Sequence, residues 1–246
     1  MKHEIRKGFK AETIKKLLAL CEVWVSFFLD QIKNGVAVAV AISKGNHKMG
    51  HVYSVSLLPV YTCDNCKHCQ HFCYAISAAL RFMNVMKAYA RNTAIAMFSY
   101  ELYFDQILNR LTDRVKNKYF RWHVSGEILD YAYFCWMVTI AELRPEWRFW
   151  TYTKMYGIVN TWIKNHGGDK SALPKNFSIM YSVWFDENSG EYIQINNPYN
   201  MPVFTCRPNT NDPDPAAWHC PGACGICIES GHGCLFAESA FIDLHQ

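Results

Sequence analysis

The sequence predicts an α/β protein: a partial parallel (β/α) barrel, TIM-barrel-like, with an N-terminal helix in front and a cysteine-rich C-terminal extension behind. Three observations predict it. Segments rich in β-branched and aromatic residues alternate with stretches of helical periodicity, which implies crossover connections and a largely parallel sheet. With 246 residues, half of them hydrophobic and 15% aromatic, the chain can bury one substantial core. The chemically unusual segments fall directly behind the strand candidates, where parallel barrels carry their sites.

Residues 1–45 form an N-terminal helical segment. The start, MKHEIRKGFKAETIKK, is basic, and Leu17, Leu18, Cys21, Trp24, Val25, Phe28, Leu29 and Ile32 then recur at helical spacing. Glu22 interrupts this apolar run, no twin-arginine pair precedes it, and it is shorter than the roughly 20 residues that cross a bilayer. The expectation is a core-facing amphipathic helix, no membrane partner and a reducing cytoplasm. Clustered cysteines in that compartment are ligands rather than disulfides. A small-apolar segment, residues 36–42, ends at Gly45 and Asn46.

Residues 46–200 are expected to form the barrel. HVYSVSLLPVY is its first strand and runs straight into a cysteine loop, behind which residues 74–92 and 95–111 read as helices. YFRWHV is the second strand, with a Ser-Gly-Glu turn and a helix over residues 128–143. RFWTYTK is the third strand, residues 158–165 a short helix, and FSIMYSVWF the fourth strand. From Pro198 the stretch NNPYNMPVFTCRPNTNDPDPAAW has the composition of a linker or irregular lid. It leads into the extension, residues 201–246, with the run HCPGACGICIESGHGC. A net charge of +4 and 19% charged residues support neither a membrane surface nor a nucleic-acid partner by themselves.

Cys63, Cys66, Cys69 and Cys73 have the spacing CxxCxxCxxxC. Four thiolates on short loops can reach the corners of one cubane, so the expected ligand is a [4Fe-4S] cluster. A structural zinc knuckle is the alternative, although zinc usually pairs two separated CxxC units. His68 and His71 inside the loop read as donors to sulfur rather than ligands. Cys220, Cys224, Cys227 and Cys234 supply a second set on a segment with four glycines, whose backbone amides can approach sulfur. A second [4Fe-4S] cluster is expected there, with zinc a closer competitor and Cys206 a lesser candidate ligand. Cys21 and Cys135 lie on apolar helix faces as core thiols.

Ser125, Gly126 and Glu127 follow the second strand and offer open backbone groups and one carboxylate, suited to an ammonium or a ribose hydroxyl. The plainer alternative is a helix start, with Ser125 as cap and Glu127 favoured by the helix dipole. Arg121 and His123 alternate with Trp122, so both are candidates to face one side of the sheet. Arg121 would neutralise an anionic cluster or ligand; His123 would act as an acid-base group, or else be a hydrogen-bonded core histidine. Lys154 ends the third strand at the site edge, set to pair with a carboxylate or phosphate.

Cys73-Tyr74-Ala75, the stretch FRWHVSGE from Phe120 to Glu127, Thr153-Lys154 and the C-terminal cysteines together resemble the gene product 88 family of bacteriophages and mobile elements. That resemblance places a phage-encoded protein in the host cytoplasm, with an unknown substrate or a host or viral partner. More distantly the chain resembles the radical S-adenosylmethionine superfamily, which sets a cluster loop after the first barrel strand and a Gly-Gly-Glu-type turn after the second. The superfamily's CxxxCxxC is absent from the first loop and occurs instead as Cys220, Cys224 and Cys227. This second resemblance implies reductive cleavage of S-adenosylmethionine at the first cluster, with Ser125, Gly126 and Glu127 holding the cofactor and the C-terminal cluster auxiliary. Such chemistry needs an iron with only three protein ligands. Four thiolates at the first cluster imply instead a non-enzymatic electron-transfer or binding protein, and zinc at both sites a binding module.

Overall fold

The structure is a computed structural model and describes residues 8–186, 188–207, 217–231, 233–236 and 239–243. Its frame is a seven-stranded sheet in the order β1-β2-β3-β4-β5-β7-β6, with every strand pair parallel. The strands are β1 (Tyr53–Val55), β2 (Tyr119–Trp122), β3 (Arg148–Thr153), β4 (Phe177–Val183), β5 (Val203–Arg207), β6 (Trp218–His219) and β7 (Ser239–Asp243). Helices α1 (Ala11–Lys33), α2 (Tyr74–Arg81), α3 (Met83–Phe98), α4 (Tyr100–Leu108), α5 (Tyr131–Leu143), α6 (Tyr156–Asn165) and α7 (Cys224–Ser230) complete it. The sheet is open, with β1 and β6 at its edges, so the architecture is a partial barrel.

The period-two alternation of the strands sorts their residues onto two faces. Phe120, Trp122, Phe149, Phe177, Ile179 and Tyr181 face the helices and form one core with Tyr103, Phe104, Phe134 and Trp162. On the opposite, inner face, Arg121 stands in register with Trp150 and Trp150 with Ser178. Tyr152 stands in register with Met180, and Ser182 with Phe204. Trp122 and Trp150 therefore lie on opposite faces and make no shared stacking platform. The C-terminal segment covers the inner face: Cys224, Ile228 and Leu235 pack around Met49, Val52 and Trp150, and Cys234 packs with Met180 and Ala240.

α1 forms where the apolar spacing predicts a helix. It buries Leu17, Cys21, Val25 and Phe28 against Leu58, Ile76, Ala79, Met86, Ala90 and Ala94. The following extended segment is held by side-chain amides, with Asn92 Oδ1 accepting from Ala41 N at 2.7 Å and Gln106 Oε1 from Val40 N at 2.7 Å. Among the described residues no helix is long and apolar enough to cross a membrane.

Four expectations are corrected. The helix over 74–92 breaks at Phe82, whose backbone is extended between α2 and α3. The helix over 95–111 breaks at Ser99, which ends α3 and caps α4 by accepting from Leu102 N at 3.1 Å. The helix behind β2 starts at Tyr131, capped by Asp130 rather than Ser125. The stretch from Pro198 is not wholly a linker or lid, since Val203–Arg207 forms β5 and pairs with both β4 and β7; residues 208–216 lie outside the described residues. β7 inserts between β5 and β6, so the strand order also departs from that of a simple sequential barrel.

Candidate functional site

The first cysteine loop leaves β1 under tight backbone control. Leu57 N donates to Ser125 O at 2.8 Å, and Ser125 Oγ donates back to Leu57 O at 2.9 Å. Leu58 N donates to Thr93 Oγ1 at 3.0 Å, while Thr62 Oγ1 donates to Leu58 O at 2.7 Å. Gly126 is required by this contact. Its φ is +88°, and a Cβ there would lie 2.5 Å from Leu57 Cβ and 2.9 Å from Thr62 Oγ1. The Ser-Gly-Glu turn is thus the seat of the cysteine loop.

Glu127, 2% exposed, ties that seat to β3. Its Oε1 accepts from Thr153 Oγ1 at 2.8 Å and from Ile128 N at 2.9 Å, and its Oε2 from Lys154 N at 2.9 Å. The Lys154 ammonium stands 3.9 Å from Oε2. Burial works against that charge, yet Cys69, Glu127, Cys63 and Cys73 together hold the Lys154 pKa above the usual lysine value. Burial, reinforced by Glu127, raises Cys63, and Lys154 pulls it back; burial and Cys69 raise Cys73. Burial and Cys69 push Cys66 up to about 11. The loop's far side rests on neighbouring elements: Asn65 Nδ2 donates to Lys154 O at 3.0 Å, His68 lies 3.9 Å from Asp186, and His71 Nδ1 lies 3.1 Å from Phe9 O.

Cys206 lies on the sheet, apart from both cysteine runs in sequence. It is 4% exposed on β5 and shares the inner face with Phe204 two residues earlier. Burial first, then Cys69 and Asp243, push its pKa up to about 12, and Lys154 draws it down. Strand alternation would have shown this from sequence once Val203–Arg207 was read as a strand, but the proline- and asparagine-rich surroundings hid it.

The second group lies against the inner face. Cys224 N donates to Lys48 O at 2.9 Å, which docks α7 onto the turn before β1. Burial pushes Cys234 up to about 12, against a hydrogen bond from Tyr152. Burial also raises Cys227, and the neighbouring Trp218 lowers it. Gly233, at φ +92°, would with a Cβ come within 2.7 Å of Cys227 Cβ and Sγ. Arg121 reaches this group, with Nη1 3.9 Å from Cys224 Sγ and its guanidinium 4.9 Å from the centre of the Tyr152 ring.

His123 separates from Arg121. It leaves the sheet after β2 and turns into the helix-side core, with Nε2 2.8 Å from Tyr133 Oη; burial lowers its pKa to about 3. A neutral, enclosed imidazole at that place serves packing. Cys21 is buried, with its pKa pushed up to about 12 by burial and then Glu22, as expected of an inert thiol, and Cys135 is half-buried.

Among the described residues, no three His, Cys, Asp or Glu side chains stand close enough to share one metal ion. The donor set nevertheless suits an iron-sulfur cluster. Soft thiols are carried by one loop at a strand end, with the Lys154 ammonium at its edge as a cation that could balance anionic sulfur. Cys63, Cys66, Cys69 and Cys73 would hold one cluster and Cys220, Cys224, Cys227 and Cys234 the other.

Fold and site define an α/β protein on an open parallel barrel whose strand ends and inner face carry two cysteine groups. The chain belongs to the Gene product 88 family, whose profile matches residues 30–214. Neither a curated protein nor a solved structure matches the chain.

Proposed function

We propose that this protein is an iron-sulfur protein with two [4Fe-4S] clusters, each held by four thiolates, serving electron transfer or the binding of a host or viral partner in a reducing cytoplasm. The observation that carries the reading is the run of four cysteines on one loop behind β1, which reaches Lys154 through Asn65 Nδ2 at 3.0 Å from Lys154 O, beside an ammonium 3.9 Å from Glu127 Oε2. Lys154 already pairs with Glu127, and a thiolate-bound cluster would set further negative charge beside it. When bound, such clusters supply one-electron redox chemistry. Lys154 balances charge at the first, Glu127 fixes the backbone that carries it, and Gly126 lets the loop close on β2.

A second reading, a radical S-adenosylmethionine enzyme, is favoured by the order of features: a cysteine loop after β1, a carboxylate after β2 and a lysine after β3 on one parallel sheet. Against it, Glu127 directs both oxygens to Thr153, Ile128 and Lys154, and Gly126 is sealed against Leu57. Neither is free to grip a cofactor in this arrangement.

Anaerobic reconstitution tests both. The first reading expects iron and acid-labile sulfide for two cubanes per chain, no unique iron by Mössbauer spectroscopy and no spectral change with S-adenosylmethionine. A unique iron together with 5'-deoxyadenosine release would establish the second. Zinc without labile sulfide would sink both.

A further inference from the structure

Helix α1 carries a second stripe that the core does not use. Its buried side, with Leu17, Cys21, Val25 and Phe28, packs on α2 and α3. Away from that contact Lys16, Ala19, Val23, Ser26, Phe27 and Asp30 stand exposed, spaced as one face of a helix. Val23 is 63% exposed and Phe27 46%. Phe27 is nonetheless held in place, since its ring meets Trp24 edge-on at 5.5 Å and Phe28 edge-on at 5.2 Å. Leu20 borders the stripe and, with Lys16, Leu80 and Met83, lines a groove beside α1. A positioned aromatic ring left in water among apolar side chains has the character of an interface anchor.

The stripe is complementary to itself. Val23 stands at its middle, seven residues after Lys16 and seven before Asp30. When a helix lies antiparallel on its own copy about a two-fold axis at Val23, residues equally distant from Val23 on either side face one another. Lys16 then meets Asp30 of the second copy, Phe27 meets Ala19 and Leu20 meets Ser26. Each pairing occurs twice, so a large side chain faces a small one at every inner level and a cation faces a carboxylate at both ends. Among the described residues neither Lys16 nor Asp30 forms an ion pair within its own chain. Parallel pairing would instead set Lys16 on Lys16 and Asp30 on Asp30, and would align the two helix dipoles rather than oppose them. An anionic lipid surface fits less well, because Glu12, Glu22 and Asp30 are exposed along the same helix.

We propose that the protein forms a symmetric dimer through α1, with the two helices antiparallel and the two-fold axis at Val23. Phe27 is the apolar anchor, and the two Lys16–Asp30 pairs fix the register. The surface involves neither cysteine run, so the dimer stands apart from the iron-sulfur reading. It is also built almost wholly ahead of the span that matches the family profile, which begins at residue 30.

The test is sedimentation equilibrium of the full chain in reducing buffer, which keeps the cysteines from cross-linking copies. It compares the native protein with Val23→Glu, Lys16→Asp, Asp30→Lys and the double variant Lys16→Asp/Asp30→Lys. The native chain is expected to be a dimer and Val23→Glu a monomer, because that change brings two carboxylates together at the axis. Each single swap should weaken the dimer roughly tenfold or more, since two symmetry-related pairs turn from attraction to repulsion. The double swap should return it to near-native strength, as only the antiparallel register allows. Should Val23→Glu fail to fold, as judged by circular dichroism, the charge swaps decide by the same criterion. A native chain that stays monomeric overturns the proposal, including one that binds vesicles of anionic lipid instead. So does a dimer that Val23→Glu leaves intact, or one that the double swap does not restore. None of these outcomes bears on metal content, so the iron-sulfur reading stands or falls separately.

Discussion

The two cysteine groups offer equal numbers of thiols but are held in different ways. The first hangs from the ends of β1, β2 and β3, fastened by the Leu57–Ser125 exchange and the three short bonds of Glu127. The second is laid over the inner face by a segment whose fixing points are Lys48 O, the Tyr152 hydroxyl, Trp218 and Arg121. Disturbing the first group must therefore disturb the sheet. Disturbing the second need only lift a cover.

Glu127→Ala breaks the comparison hardest. It leaves Thr153 Oγ1, Ile128 N and Lys154 N without their acceptor, and Lys154 without its nearest carboxylate. Leaving a buried donor without its acceptor costs about 1–3 kcal/mol, and three lose theirs here. Urea unfolding should show that loss in the whole cooperative transition, and a loss under about 1 kcal/mol would mean the carboxylate is not the tie described.

A matched pair of glycine substitutions sharpens the contrast. Both Gly126 and Gly233 hold a positive φ, and a Cβ on either meets a neighbour closer than 3.0 Å. Strain and overpacking together cost about 3 kcal/mol at such positions. In Gly126→Ala the obstacle is Leu57 in the core, so global stability should fall. In Gly233→Ala it is Cys227 on the cover, so the melting temperature should hold while the reactivity of Cys227 to alkylation changes. Equal losses of global stability in both variants would erase the distinction.

Acid probes the same difference through His123. Its pKa is about 3 in the fold, held down by burial, and about 6.5 when unfolded. Between those values the unfolded chain binds a proton that the folded chain does not. The contribution is complete above pH 6.5 and is lost as pH falls, by ~1.4 kcal/mol per unit, or about 2 kcal/mol at pH 5. His123→Gln should flatten this slope in denaturant titrations at successive pH values. A slope unchanged in the variant would assign the acid sensitivity elsewhere.

The parallel sheet was legible because buried parallel strands carry dense runs of β-branched and aromatic residues, as in YFRWHV and FSIMYSVWF. The two cysteine runs are visible from spacing alone, although among the described residues no three of their side chains stand close enough to share one metal ion. What spacing does not carry is direction. Arg121 and His123 alternate as one strand face would require, yet β2 ends at Trp122 and the backbone turns His123 to the opposite side, onto Tyr133. Ser125, Gly126 and Glu127 read as an open grip, but their partners Leu57, Thr62, Thr153 and Lys154 come from two other strands and a loop, and no local pattern reports tertiary hydrogen bonds. β5 was obscured because its five residues lie between proline- and asparagine-rich stretches, and strand pairing outweighed that composition.

The smallest expected effect tests how far the cover depends on one hydroxyl. Tyr152→Phe keeps the ring beneath Arg121 and removes only the bond to Cys234, a loss of about 1 kcal/mol by the usual value of one hydrogen bond. That bond lowers the Cys234 pKa against the rise that burial produces, so the variant thiol should be more fully protonated and slower to react. Alkylation of the metal-free protein, read peptide by peptide by mass spectrometry, should show slower labelling at Cys234 and unchanged labelling at Cys63 and Cys66. Those two thiols answer to Lys154 and to their own loop. A change at Cys63 as large as that at Cys234 would mean the sheet transmits the disturbance, and the two groups could no longer be treated as one built into the fold and one laid over it.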